Sequence, residues 1–187
     1  MTRLAQVRTV TYAVCNTGPL ISAFQSGSFD LWRQIFAAIH LSPVCAGELT
    51  RHGWADAMQA AAPHLVIVPL TAEEEQAARS IAEQIAQHPD TNDPVVENHL
   101  GEAQAIALAL RHEYENDILL LDERAARAVA QQQGVRLSGF PGTLLLAVQA
   151  GLIAPSDLKQ RLEQCRQQGT HYSVRFIQQV YAMAQQK

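Results

Sequence analysis

Residues 100–135, LGEAQAIALALRHEYENDILLLDERAARAVAQQQGV, constrain this chain more than any other stretch. Across residues 103–110 only Gln104 is polar. A helix apolar on nearly every face belongs inside a fold, so Glu102 in its first turn lies inside or at the rim. Ile118-Leu119-Leu120-Leu121 is a short continuous apolar run, the mark of a parallel strand covered on both faces, and Asp122 closes it. Residues 123–133 then read as a helix stopped by Gly134. Helix, strand and helix in about 35 residues form a crossover unit. In open α/β sheets the functional crevice lies beyond the carboxyl ends of the strands, where Asp122 falls. Each acid alone has a plainer role: Glu102 as a partner of the helix dipole, Asp122 as an N-cap.

The rest of the chain supplies comparable positions. Residues 11–15 (TYAVC) read as a first buried strand, broken by Asn16-Thr17-Gly18-Pro19 before a short helix at 20–24. Asn16 is therefore the first polar residue past a buried strand, as Asp122 is later; a turn or cap is its plainer role. Leu31, Trp32, Ile35, Phe36 and Ile39 make a helical stripe over 29–39, although 39–41 also suits a short strand. Ser42-Pro43 is an N-cap followed by N1, opening a helix over 44–51 that carries Glu48 among small and apolar neighbours. A helix at 54–62 and a strand at 65–68 follow. Thr71-Ala72-Glu73-Glu74 is a capping box that launches a helix over 72–87, whose Glu73, Glu74 and Glu75 complement its dipole. After a two-proline loop at 88–98 and the central unit come a strand (135–138), a turn (139–142) and helices at 143–150, 158–168 and 173–186.

Strands alternating with helices predict a three-layer α/β/α sandwich around a central, mainly parallel sheet. The expectation is one domain, with a core over about 11–153 and a helical C-terminal extension over about 154–187, in keeping with 187 residues of which 48% are hydrophobic. Tyr172, Phe176, Tyr181 and Met183 suit either docking of that extension on the core or a face for a partner, a second copy included.

Composition narrows the function classes. No apolar run approaches the roughly 18 residues that span a bilayer. Residues 1–9 carry Arg3 and Arg8 without an apolar core segment and read as no secretory leader. Cys15, Cys45 and Cys165 are an odd, scattered set, expected to be reduced and buried in a cytoplasmic protein. The net charge of −4 divides into five basic and ten acidic residues over 1–100 and nine and eight over 101–187. A strongly basic nucleic-acid binder is excluded; a local basic patch is not.

Asn16 and Asp122 after strands, with Glu48 and Glu102 on buried helices, can gather at one sheet edge. Two carboxylates ~4 Å apart at an effective dielectric of 20 repel by about 4 kcal/mol, so such a group calls for a cation. Oxygen donors without clustered Cys or His suit Mg²⁺ or Mn²⁺, ions that activate water and stabilise a leaving oxyanion in phosphodiester cleavage.

At these residues the chain resembles the PIN-domain family. The pieces that carry the resemblance are VCNTGPLI (14–21), SPVCAGEL (42–49), GEAQAIALA (101–109), LLLDERAARAVAQQQGV (119–135) and SGFPGTLLLAVQAGLI (138–153). They look most like a prokaryotic branch of uncharacterised nucleic-acid-binding PIN proteins related to the toxins of VapC-type toxin–antitoxin pairs. The resemblance implies a Mg²⁺- or Mn²⁺-dependent ribonuclease acting on RNA, toxin-like and checked by an antitoxin protein. It assigns Glu48, Glu102 and Asp122 as catalytic and metal-binding residues. Asn16 stands as a metal ligand where most members have their first aspartate; an amide oxygen still ligates a metal but brings no charge. Glu123 is a further ligand candidate or a first-turn residue facing water. Arg124 and Arg127, one turn apart, suit RNA phosphates or ion pairs with nearby acids. The alternative function is a catalytically silent PIN fold that binds RNA or a protein partner.

Overall fold

The computed structural model describes residues 11–186. The stretch read above as no secretory leader lies outside them. Five strands, β1 (Ala13–Cys15), β2 (Ile39–Leu41), β3 (Leu65–Ile67), β4 (Ile118–Leu120) and β5 (Leu137–Ser138), form one sheet in the order β3-β2-β1-β4-β5. Every pairing is parallel, with Cys15 opposite Leu41 on one side and Leu120 on the other. The helices among the described residues are α1 (Thr17–Gln25), α2 (Phe29–Ile35), α3 (Pro43–Arg51), α4 (Ala55–Ala61), α5 (Ala72–Ala86), α6 (Leu100–Ala109), α7 (Arg124–Gln132), α8 (Phe140–Gln149), α9 (Pro155–Gln167) and α10 (Val174–Gln185).

Side chains alternate across the strands and divide the interior into two cores. Ala13, Cys15 and Leu120 face one core with α1–α4 and α8–α10. Val14, Leu119 and Leu121 face the other with α5, α6 and α7. This is the three-layer sandwich the alternation of elements predicts. The buried character of α6 also holds: Ala103, Ala105, Ile106 and Leu108 are fully enclosed. All three cysteines are free and buried.

Four local expectations need correction. The helix expected over 29–39 stops at Ile35, and Phe36 turns extended at φ −111°, ψ 146°. Ile39 is claimed instead by β2, where it pairs with both Ala13 and Leu65. The expected break at 16–19 is shorter than read, because α1 starts at Thr17 and Pro19 sits in its first turn, where a missing N–H costs nothing. The expected turn at 139–142 is the first turn of α8, with Pro141 at its start. Asp122 is not the N-cap of α7: that position belongs to Glu123, whose carboxylate accepts from the amides of Ala125 and Ala126. The capping box at Thr71 and the Ser42 cap, which accepts from the Cys45 amide, form as read.

The extension packs back onto the first core through Leu158, Leu162, Cys165, Ile177 and Val180. Tyr172 stacks on Phe176, and Lys159 lies over the Tyr181 ring, whereas Phe176 and Met183 keep large exposed surfaces. No helix among the described residues is long and apolar enough to cross a membrane.

Candidate active site

The strand order decides where a site can form. From β1 the sheet grows one way through β2 and β3, and on the other side through β4 and β5. The topological switch point therefore lies between β1 and β4, at their carboxyl ends. Asn16 directly follows β1 and Asp122 follows β4 by two residues, so both stand where sheets of this kind form their functional crevice. The Asn16 amide N–H donates to the Leu120 carbonyl (3.0 Å), which stitches the two strand ends together at this point.

One half of the site gathers Asn16, Glu48 and Glu102. Asn16 is buried, and its Nδ2 donates to Glu102 Oε1 at 3.2 Å. Glu48 projects from α3, and the Thr17 hydroxyl donates to its Oε2 at 2.6 Å. The Glu48 carboxylate lies against the first turn of α6: a Cβ on Gly101 would meet its Oε1 at 2.9 Å and Oε2 at 3.0 Å. Both acids thus sit at the amino end of α6, where exposed backbone N–H groups favour negative charge. Burial pushes the Glu102 carboxyl above its usual range; its own backbone amide and Asn16 pull it back, Glu48 adds to the rise, and His99 opposes it.

Asp122 makes the other half. Its Oδ1 accepts from the Phe140 amide at 3.1 Å, so it caps α8 from a neighbouring strand. Gly139 makes this approach feasible, since a Cβ there would stand 2.2 Å from the same oxygen. Burial raises the Asp122 carboxyl to about 6, against the pull of the Phe140 amide, the Arg127 charge and the Tyr172 hydroxyl. Among the described residues, no three carboxylate, imidazole or thiol groups cluster so as to hold one metal ion. The three acids share one edge of the sheet, but Asp122 is turned toward α8, whereas Glu48 lies against the first turn of α6 and Glu102, on that turn, meets Asn16.

The two arginines separate. Arg127 points inward, its Nη1 donating to the Leu121 carbonyl at 2.6 Å beside Asp122. Arg124 is exposed on the first turn of α7. Several contributors escaped the sequence reading. Thr17 carries a weak signal, adjacency to Asn16. Cys45, whose thiol lies 3.3 Å from both Asn16 Oδ1 and the Gly101 carbonyl, carries none. Tyr172 also carries none: it reaches this edge from the α9–α10 connection, with its hydroxyl 3.4 Å from Ser22 Oγ.

A family model described as a PIN domain matches residues 12–186, nearly the whole chain. The chain belongs to the PIN-domain family. Comparison with curated proteins gives no match. A PIN domain is a nuclease-type fold, and its members typically use divalent metal ions. The donors of this PIN domain fit such an ion by chemistry: one amide and three carboxylates, all hard oxygens, with the burial of Glu102 and its proximity to Glu48 leaving negative charge for a cation to relieve.

Proposed function

We propose that this PIN domain is a Mg²⁺- or Mn²⁺-dependent endoribonuclease, the toxin-like component of a pair in which an antitoxin protein restrains it. The observation that carries the reading is the meeting of Asn16, Glu48 and Glu102 at the switch point, with Asp122 across the crevice. Asn16 Oδ1, Glu48, Glu102 and Asp122 are the groups that would hold the ion. When bound, the ion would supply an activated water and charge stabilisation for the leaving oxygen. The chain's own side chains do the rest. Thr17 holds Glu48, the Phe140 amide holds Asp122 with the Arg127 charge nearby, and Arg124 offers an exposed cation to RNA phosphates.

One feature favours the second reading, a silent fold that binds RNA: Asn16 already satisfies Glu102 with a neutral N–H. Incubation of total RNA with the protein in Mg²⁺, Mn²⁺ or chelator separates the two. The nuclease reading expects metal-dependent cleavage that falls at least about a hundredfold in a folded Asp122→Asn variant, the loss of a metal-holding carboxylate. RNA retained on the protein but uncut in either metal would establish the silent fold instead.

A further inference from the structure

We infer that the Asn16 amide stands in for a cation against Glu102, and that Cys45 is the positioning residue that sets which end of the amide faces the acid. The inference rests on the metal-site reading above and concerns how this chain manages the site without metal. The amide has two unlike ends, and its neighbours discriminate between them. Glu102 Oε1, 3.2 Å from Nδ2, is a carboxylate oxygen that accepts. Cys45 Sγ, 3.3 Å from Oδ1, is a fully buried thiol that donates. The reversed amide would set oxygen against oxygen at Glu102.

The thiol has one proton and two acceptors at equal reach, Asn16 Oδ1 and the Gly101 carbonyl, each at 3.3 Å. Rotation of the amide breaks the bond to Oδ1 and turns the donor Nδ2 toward the thiol, while the Gly101 carbonyl keeps the buried proton from being stranded. Position 16 thus has two settings. With N–H toward Glu102 the carboxylate of the metal-free site is hydrogen-bonded by a neutral donor. With oxygen toward Glu102 the amide becomes a ligand, at the expense of the thiol contact and of the N–H bond to the acid. Metal affinity is lowered by whatever holds the first setting. An aspartate at 16 has no N–H to offer and would face Glu102 as a second charge.

Mn²⁺ titrated calorimetrically into the full chain, with thermal melts in chelator at one fixed pH, tests this. Cys45→Ala should bind Mn²⁺ about twofold more tightly than the wild type, the equivalent of one weak hydrogen bond. Cys45→Ser keeps a donor at the same place and should bind like the wild type. Should Cys45→Ala not fold, Cys45→Val removes the donor without leaving a cavity. Asn16→Asp should bind about tenfold more tightly and melt lower in chelator. Equal affinities for the donor-less and donor-keeping Cys45 variants would overturn the positioning role, and an Asn16→Asp melt equal to the wild type in chelator would overturn the stand-in role. If no variant, Asn16→Asp included, binds Mn²⁺, the metal-site reading and the part of Cys45 in metal affinity both fall. The chelator melts then decide the stand-in role of Asn16 by themselves.

Discussion

The two halves of the crevice handle buried charge in different ways. Around Glu48 and Glu102 the partners are neutral side chains, the Thr17 hydroxyl and the Asn16 amide, backed by the amino end of α6. Around Asp122 the group that holds an oxygen is a backbone amide of α8, with the Arg127 guanidinium and the Tyr172 hydroxyl nearby. A side-chain partner can rotate away when something better arrives, whereas a backbone amide is fixed by its helix. The first half is therefore adaptable and the second rigid. Asp122 nevertheless ionises reluctantly, because the amide and the arginine do not offset the cost of its burial.

The largest effect that sharpens this contrast is expected at Asp122 itself. Its carboxyl is raised from the ordinary 3.8 to about 6 in the folded protein. A folded pKa above the unfolded one means that the neutral acid contributes stability below about pH 4, and that this is lost as pH rises through about 6. Asp122→Asn keeps an oxygen for the Phe140 amide and carries no charge. In chelator at pH 8 it should be more stable than the wild type by about 3 kcal/mol, with little difference at pH 4. Denaturant melts at both pH values check this; a variant destabilised at pH 8 would mean that the charge of Asp122 helps hold the fold.

Glycine substitutions probe rigidity against adaptability. Gly139 has φ −117°, open to any residue, so only space forbids a side chain there. Gly139→Ala drives a Cβ into Asp122 and should cost about 2 kcal/mol by overpacking, since the carboxylate is held in place. Gly101→Ala pushes on Glu48 at a milder 2.9 Å, and an alanine inside a helix returns about 1 kcal/mol. It should leave stability near the wild type while weakening Mn²⁺ binding. Equal destabilisation by the two substitutions, measured by urea melts, would erase the distinction.

A smaller loss of stability than at Gly139 is expected at Thr17. Thr17→Val removes the donor to Glu48 and preserves shape. Because Glu48 is only half-buried, water can replace the hydroxyl, and the cost should be about 1 kcal/mol. A loss of several kcal/mol in a chemical melt would show Glu48 to be held as rigidly as Asp122.

The fold was largely legible in the chain because its signals are local. Continuous apolar runs at β1 and β4, the nearly all-apolar run of α6 after Glu102, and the caps at Ser42 and Thr71 each state an element without help from elsewhere. Placement of the candidate acids on one edge followed from the parallel connections they terminate. Where local signals failed, a distant partner had the stronger claim: Ile39 fits a helical stripe, yet two neighbouring strands bury it in the sheet.

The sequence by itself determined the α/β alternation, strands covered on both faces, and the polar residues standing where strands end. Only the tertiary structure decided how those residues are held. Nothing near Asp122 in the chain announces that the Phe140 amide, eighteen positions on, will claim its oxygen. Nor does any pattern announce that Cys45 will face Asn16 across 29 positions. Such contacts depend on how far each helix slides along the sheet before its side chains interlock. That position is set by all the packed side chains together, so no single segment of the sequence records it.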